Sequence, residues 1–497
     1  MGLSTGPRMS ESAKVVAGLE NMKNHTAVRF RNSPWLAVGL CMTLIPQPTC
    51  DAGKPEFNVL FIAIDDQNTR LHCYGHDQIH SPNIDRLAKR GTRFDRAYCQ
   101  YPSCGPSRAS LLTGLRPGKT GVLNNQTSFR TQLPDAITLP QLFREHGYYA
   151  ARVGKIFHQG VPIDIGMDGL DDSRSWDEAF NPRGRDRDQE NLLTVYTPDL
   201  LLQDRMSYLA ADGTDDQQTD GKVASRAIQL LHEHKDEPFF IAAGFYRPHI
   251  PYIAPQKYFS LYDIHQTVLP AIPDGYRSRV PQAALASTAT WPNFGTTPQQ
   301  ARECILAYDA CVSFVDAQVG RLMTALDDLG LADKTMVVLW GDHGYHLGEH
   351  GLWRKNSLYE ESARAPLIIY KPGIHPREHD CERIVEFVDI YPTVVELAGL
   401  QMPSGLAGKS LVPLMVAPDR VWDRPAFTQV QFGKNESAVP GMAVRTKRWR
   451  YVRWDGGEKG EELYDHQQDE AEMNNLAKDS SHAEVVNRLR SLLDTAF

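Results

Sequence analysis

A cysteine directly before Gly105-Pro106-Ser107-Arg108 stands in the stretch "YCQYPSCGPSRASLLTG", Tyr98 to Gly114. Pro106 suits the first turn of a helix and Gly114 suits its stop, so Cys104 falls at a helix N-terminus. The free N–H groups and positive dipole end there favour an anion. Arg108, in the first turn, adds a bidentate donor for an oxyanion. Most cysteines are inert small hydrophobes, so the other chemistry-bearing residues have to decide. Asp65 and Asp66 follow "NVLFIAI", and Asp342 and His343 follow "TMVVLWG". "YYAARVG" leads into Lys155 and His158, "FFIAAGFYRP" leads into His249, and Lys355 stands in "LWRKNS" beside Arg354. Two adjacent acids after a buried strand are costly without a counter-charge. A divalent cation relieves that cost, and three carboxylates offer hard oxygens that suit calcium or magnesium better than zinc. His343 adds a nitrogen or a hydrogen-bond donor. The set reads as an oxyanion-transfer site, with a nucleophile, a cation, Arg and Lys clamps, and histidines for proton work.

Such residues converge only if the chain brings them to one edge. From Asn58 onward, apolar runs alternate with helical patterns, which predicts a mostly parallel sheet with helices on both faces. The predicted strands are 58–64, 148–153, 239–245, 335–340 and 366–370. Helices are predicted over 83–91 and 139–147, each closed by glycine, and over 304–329. In open α/β sheets ligands bind beyond the carboxyl ends of the strands, which is where these polar groups fall. The segment 181–190 reads as a solvated loop, and 270–300 as irregular. Beyond about Pro413, "GMAVRTKRWRYVRW" alternates as an antiparallel strand or hairpin. The chain therefore divides into a leader, 1–52, a catalytic domain, 53–413, and a small C-terminal α+β subdomain, 414–497.

The remaining features narrow the class. Of 497 residues, 41% are hydrophobic and 23% charged, and the net charge is −8. That composition is ordinary for a globular protein, and no overall basic field points to nucleic acid. Eight cysteines form no CxxC pair, so neither a zinc ribbon nor a disulfide scaffold is indicated. "WLAVGLCMTLI", Trp35 to Ile45, is too short to span a bilayer but fits the apolar core of a signal peptide, with Met22 as an alternative start. An exported protein without stable membrane insertion is expected. His346 and His350 read as pocket-lining or exposed.

"CGPSRASLLTG" closely resembles the signature of the type I sulfatases of the alkaline phosphatase superfamily, and "NVLFIAIDDQ", "GKIFH", "RPHIPY" and "GDHGYHLGEHGLWRK" fall in the family's order. The resemblance runs from about Asn58 to Tyr464. It implies the alkaline-phosphatase-like fold and conversion of Cys104 to Cα-formylglycine by a separate maturation enzyme. It also implies calcium held by Asp65, Asp66, Asp342, His343 and the residue at position 104. Carried over from the family, the hydrated aldehyde attacks the sulfur of a sulfate ester. Arg108 and Lys155 stabilise the hydrate, His249 and Lys355 bind sulfate and help protonate the leaving alcohol, and His158 takes the proton that expels sulfate. The motifs are most similar to the iduronate-2-sulfatase branch, which implies a sulfated uronate glycan or a small sulfate ester as substrate. Phosphonate monoester or phosphodiester hydrolysis, and sulfated-glycan binding without turnover, stand as alternatives.

Overall fold

The computed structural model describes residues 57–374, 380–433 and 437–496. The predicted leader lies outside them, as does Trp35–Ile45. The main sheet has eight strands, in the order Asp380–Glu386, Thr92–Tyr98, Leu367–Tyr370, Thr335–Gly341, Asn58–Ile64, Phe239–Phe245, Tyr149–Gly154, Glu178–Phe180. Leu367–Tyr370 runs antiparallel to both neighbours, and every other pairing is parallel. Asn58–Ile64 lies inside the sheet, and all its residues are buried. A central parallel strand is covered on both faces, so its sequence is a continuous apolar run with no alternation.

Alternate residues of that strand feed two cores. Leu60, Ile62 and Ile64 pack with the helices Thr219–Glu233 and Pro298–Asp328, while Val59, Phe61 and Ala63 pack with Cys104–Thr113 and Ile390–Leu397. Two outer strands, Thr92–Tyr98 and Asp380–Glu386, were not predicted. Their sequences "TRFDRAY" and "DCERIVE" are charged and only partly buried, and Arg93 pairs with Asp95 and Asp380. The long helix begins at Pro298, earlier than its apolar periodicity suggests. A capping box between Thr297 and Gln300 starts it, and its first turn is polar.

The predicted solvated loop at 181–190 is corrected by Asp186. That side chain is buried, accepts hydrogen bonds from the Thr219 amide (2.7 Å) and hydroxyl (2.6 Å), and pairs with Arg247 at 3.2 Å. A run of charges reads as solvated, but here a buried arginine outside the run neutralises one of them. The C-terminal sheet is antiparallel, in the order Ala426–Phe432, Val439–Arg445, Trp449–Trp454, Glu461–Asp465. The helix Ala483–Ala496 covers it through Val486, Leu489 and Leu493. Among the described residues, all six cysteines are free thiols, and no helix is long and apolar enough to cross a membrane.

Candidate active site

The carboxyl ends of three adjacent strands bring the charged groups together. Asn58–Ile64 releases Asp65 and Asp66, and Thr335–Gly341 beside it releases Asp342 and His343. Phe239–Phe245, on the other side, leads to His249. Asp66 takes a left-handed backbone, φ 61°, which a short polar residue tolerates. Two bonds hold that turn: the Asp66 amide donates to Asp342 Oδ1 (3.0 Å), and the Tyr308 hydroxyl donates to the Asp66 carbonyl (2.8 Å). Lys155 follows a close approach between two strands. A Cβ on Gly244 would stand 2.1 Å from the Lys155 carbonyl oxygen, so only glycine fits there.

The helix Cys104–Thr113 enters this cluster with every residue buried. Cys104 Sγ lies 3.4 Å from His343 Nε2 and 3.8 Å from Asp66 Oδ1. Asn125, in a loop without periodicity, anchors the helix start by accepting from the Gly105 amide at 2.8 Å. Nothing in the sequence singled it out. Burial pushes the Cys104 thiol well above its ordinary pKa, and the Asp65 charge adds to that. An unmodified thiol here is protonated and a poor nucleophile.

Arg108 differs from its sequence reading. It does not line the cavity as a free oxyanion donor. Its Nε donates to Asp342 Oδ2 (2.9 Å), one terminal nitrogen to Asp65 Oδ1 (3.0 Å), and the other to the carbonyls of Lys155 (2.7 Å) and Ile156 (3.0 Å). The side chain is fully buried. It clamps the two carboxylates in place. Lys155 Nζ takes the other Asp65 oxygen at 2.6 Å. Burial raises the Asp65 pKa, but the Lys155, Arg108 and Lys355 charges outweigh it and hold the carboxyl well below the usual range. Asp66 goes the other way. Burial raises it, and Lys355 does not fully compensate.

Two imidazoles present bare nitrogens to these acids. His343 Nδ1 is 2.9 Å from the Gly344 carbonyl, and His249 Nδ1 is 2.6 Å from the Ile250 carbonyl. A carbonyl only accepts, so each Nδ1 carries a proton and Nε2 is the ring nitrogen left to face the acids. His343 Nε2 then faces Asp66 Oδ1 (3.4 Å) and Asp342 Oδ1 (3.6 Å), and His249 Nε2 faces Asp66 Oδ2 (3.7 Å). Asp66 Oδ2 is buried with no hydrogen-bond partner. Acceptors facing acceptors need a proton or a cation between them. Potential ligand atoms of Asp65, Asp66, Cys104 and His249 lie within 4.8 Å of one another, and those of Cys104, Asp342 and His343 form a second such group. The donor set fits a hard divalent cation, with the backbone carbonyls orienting the histidines as is usual at metal sites.

A cavity of about 710 Å³ opens onto the cluster, lined in part by His158, His249, Lys355, Asn125, Arg354 and Asp204. Lys355 Nζ donates to Asp66 Oδ1, whereas Arg354 pairs with Asp204. The structure thus separates the two neighbouring cations: Lys355 reaches the acids and Arg354 lies on the cavity wall. Burial alone would lower the Lys355 pKa, but Asp66, with lesser help from Asp65, holds the amine protonated. His158 is displaced well below its ordinary pKa by burial and by Lys155. His346 and His350 neither line this cavity nor reach solvent. Both are buried, His346 2.7 Å from Ser357 Oγ and His350 stacked on Tyr359 at 3.8 Å. A larger cavity of about 980 Å³, walled by His72, Asp85, Arg93 and Asp380 among others, contains none of these site residues.

The Sulfatase family model matches residues 57–400, and the model for the N-sulphoglucosamine sulphohydrolase C-terminal region matches 348–496. A sulfatase of Formosa agariphila is 33% identical over 488 residues, covering 92% of this chain and 91% of that protein. The iduronate 2-sulfatase of Homo sapiens is 34% identical over 418 residues, covering 74% of each chain. The crystal structure of the phosphonate monoester hydrolase of Agrobacterium radiobacter shares the fold at a TM-score of 0.75 and 23% identity, covering 88% of this chain and 95% of that one. With a family model spanning the main sheet and every residue of the buried acid cluster, this chain belongs to the sulfatase family.

Proposed function

We propose that this protein hydrolyses a sulfate ester on a uronate-containing glycan, using formylglycine made from Cys104 and a calcium ion. The observation that carries the reading is the buried meeting of Cys104, Asp65, Asp66, Asp342 and His343 beside a cavity lined by His158, His249 and Lys355. Similarity to an iduronate 2-sulfatase supports the uronate. The predicted division into a catalytic domain, 53–413, and a C-terminal subdomain, 414–497, is retained as part of this proposal.

Asp65, Asp66, Asp342, His343 and the modified residue at position 104 would hold calcium. Bound there, it would polarise a sulfate oxygen and favour the ionised nucleophile. The aldehyde form of position 104 supplies, once hydrated, the hydroxyl that the buried thiol cannot. Everything else falls to the chain's own groups. Arg108 and Lys155 keep the carboxylates oriented. Lys355 stays protonated beside Asp66 and offers positive charge to the incoming sulfate. His249, with Nδ1 committed to the Ile250 carbonyl, faces the leaving group only with Nε2 and positions it by hydrogen bonding there, while the protonated Lys355 supplies the leaving alcohol's proton. His158 is neutral near pH 7, as a base requires.

The test is sulfate release from 2-O-sulfated uronate glycosides by protein matured in a host with the formylglycine-forming enzyme, with an aryl phosphodiester run in parallel. Sulfate release exceeding phosphodiester cleavage by orders of magnitude is expected. Preferential phosphodiester cleavage overturns the reading.

A further inference from the structure

The mechanism above leaves Arg354 unused, yet the structure builds it into the cavity wall. Its backbone is left-handed, φ 69°, a conformation a long side chain rarely adopts. The hairpin pairing of His346 with Arg354 and the buried Trp353, whose indole N–H donates to Asn293 Oδ1 at 2.9 Å, hold it there. The guanidinium lies over the Phe294 ring, 4.9 Å from its centroid. One terminal nitrogen meets Asp204 on the turn Leu202–Asp204, and Nε is buried with no partner at all. A rigidly held cation with an unused donor, next to the lysine that faces the acid cluster, is built to receive an anion.

Resting on the proposed sulfatase activity, we infer that Arg354 is the specificity-determining residue that binds a second anionic group of the substrate, a carboxylate on the same sugar ring as the scissile sulfate ester. Its planar fork matches a carboxylate in two-pronged geometry. Asp204 occupies part of that fork in the free enzyme. The Asp204 carboxylate is 37% exposed and gives way to the ligand, so the pair also selects against substrates that bring no charge of their own.

The experiment compares a 2-O-sulfated uronate glycoside with its carboxyl-reduced counterpart, which differs only in a hydroxymethyl group. The readout is the ratio of the two kcat/KM values. That ratio cancels any difference in folded or matured fraction between variants. Wild type is expected to prefer the uronate. Arg354→Gln is expected to cut that preference about 10- to 100-fold, chiefly through the uronate KM, and Arg354→Lys to keep part of it, since charge without the fork is a weaker match. If wild type cleaves both sugars equally, or Arg354→Gln keeps the preference, the inference falls while the sulfatase reading stands. If wild type releases sulfate from neither, the proposed function falls and takes the inference with it.

Discussion

Replacing Arg108 by glutamine isolates the clamp from the chemistry. The guanidinium is fully buried and satisfies Asp65, Asp342 and two backbone carbonyls. Glutamine reaches at most one or two of these acceptors and carries no charge. Removing one partner of a buried ion pair typically costs about 3–5 kcal/mol, because the other charge is left uncompensated. A surface pair provides the scale. Arg144 and Asp177, 41% and 33% exposed at the side chain, are 2.7 Å apart, and Arg144→Gln is expected to cost under about 1 kcal/mol. Urea unfolding of calcium-free protein measures both. Arg108→Gln should lose about 3–5 kcal/mol, and added calcium should recover part of the loss by restoring positive charge between the carboxylates. A loss no larger than at Arg144 would refute the view that this arginine is the structural counter-charge of the acid pair.

Other outcomes follow from the same geometry. Lys355→Gln removes the protonated amine beside Asp66 and should lower kcat/KM on an aryl sulfate about 10²- to 10³-fold, the usual loss for one charge-stabilising donor. Gly244→Ala drives a Cβ to 2.1 Å from the Lys155 carbonyl, so the strands must part; loss of soluble protein, or about 3 kcal/mol of stability, is expected in expression and melting assays. Glu462 is pushed up to about 7 by burial, above its unfolded value of 4.5. The folded state then binds the extra proton between these values, so stability falls as pH rises from about 4.5 to about 7, by up to about 3 kcal/mol. Glu462→Gln should flatten that part of the stability–pH curve, because the amide keeps the acceptor for the Trp454 N–H and can donate to the Tyr464 hydroxyl.

The central strands and the acid cluster were legible because a doubly covered parallel strand is a bare apolar run, and polar residues at its end stand out. Thr92–Tyr98 and Asp380–Glu386 were hidden because their charges are matched in the fold, by Arg93 with Asp95 on its own strand and with Asp380 on the next. Cys104–Thr113 was read from Pro106 and Gly114 alone, since a fully buried helix has no polar face. The role of Arg108 could not be read at all. Proximity to a helix start suggests a ligand donor, and only the fold reveals that its acceptors lie inside the protein. Asn125 and Asp204 stand in loops, where contact depends on tertiary geometry and leaves no period in the sequence.

The most direct test of the account is the mass of the tryptic peptide Ala97–Arg108 from protein made alongside the maturation enzyme and shown to release sulfate. The account predicts formylglycine at position 104 in the active fraction, with activity lost in Cys104→Ala. An active protein that carries an unmodified Cys104 thiol would contradict it.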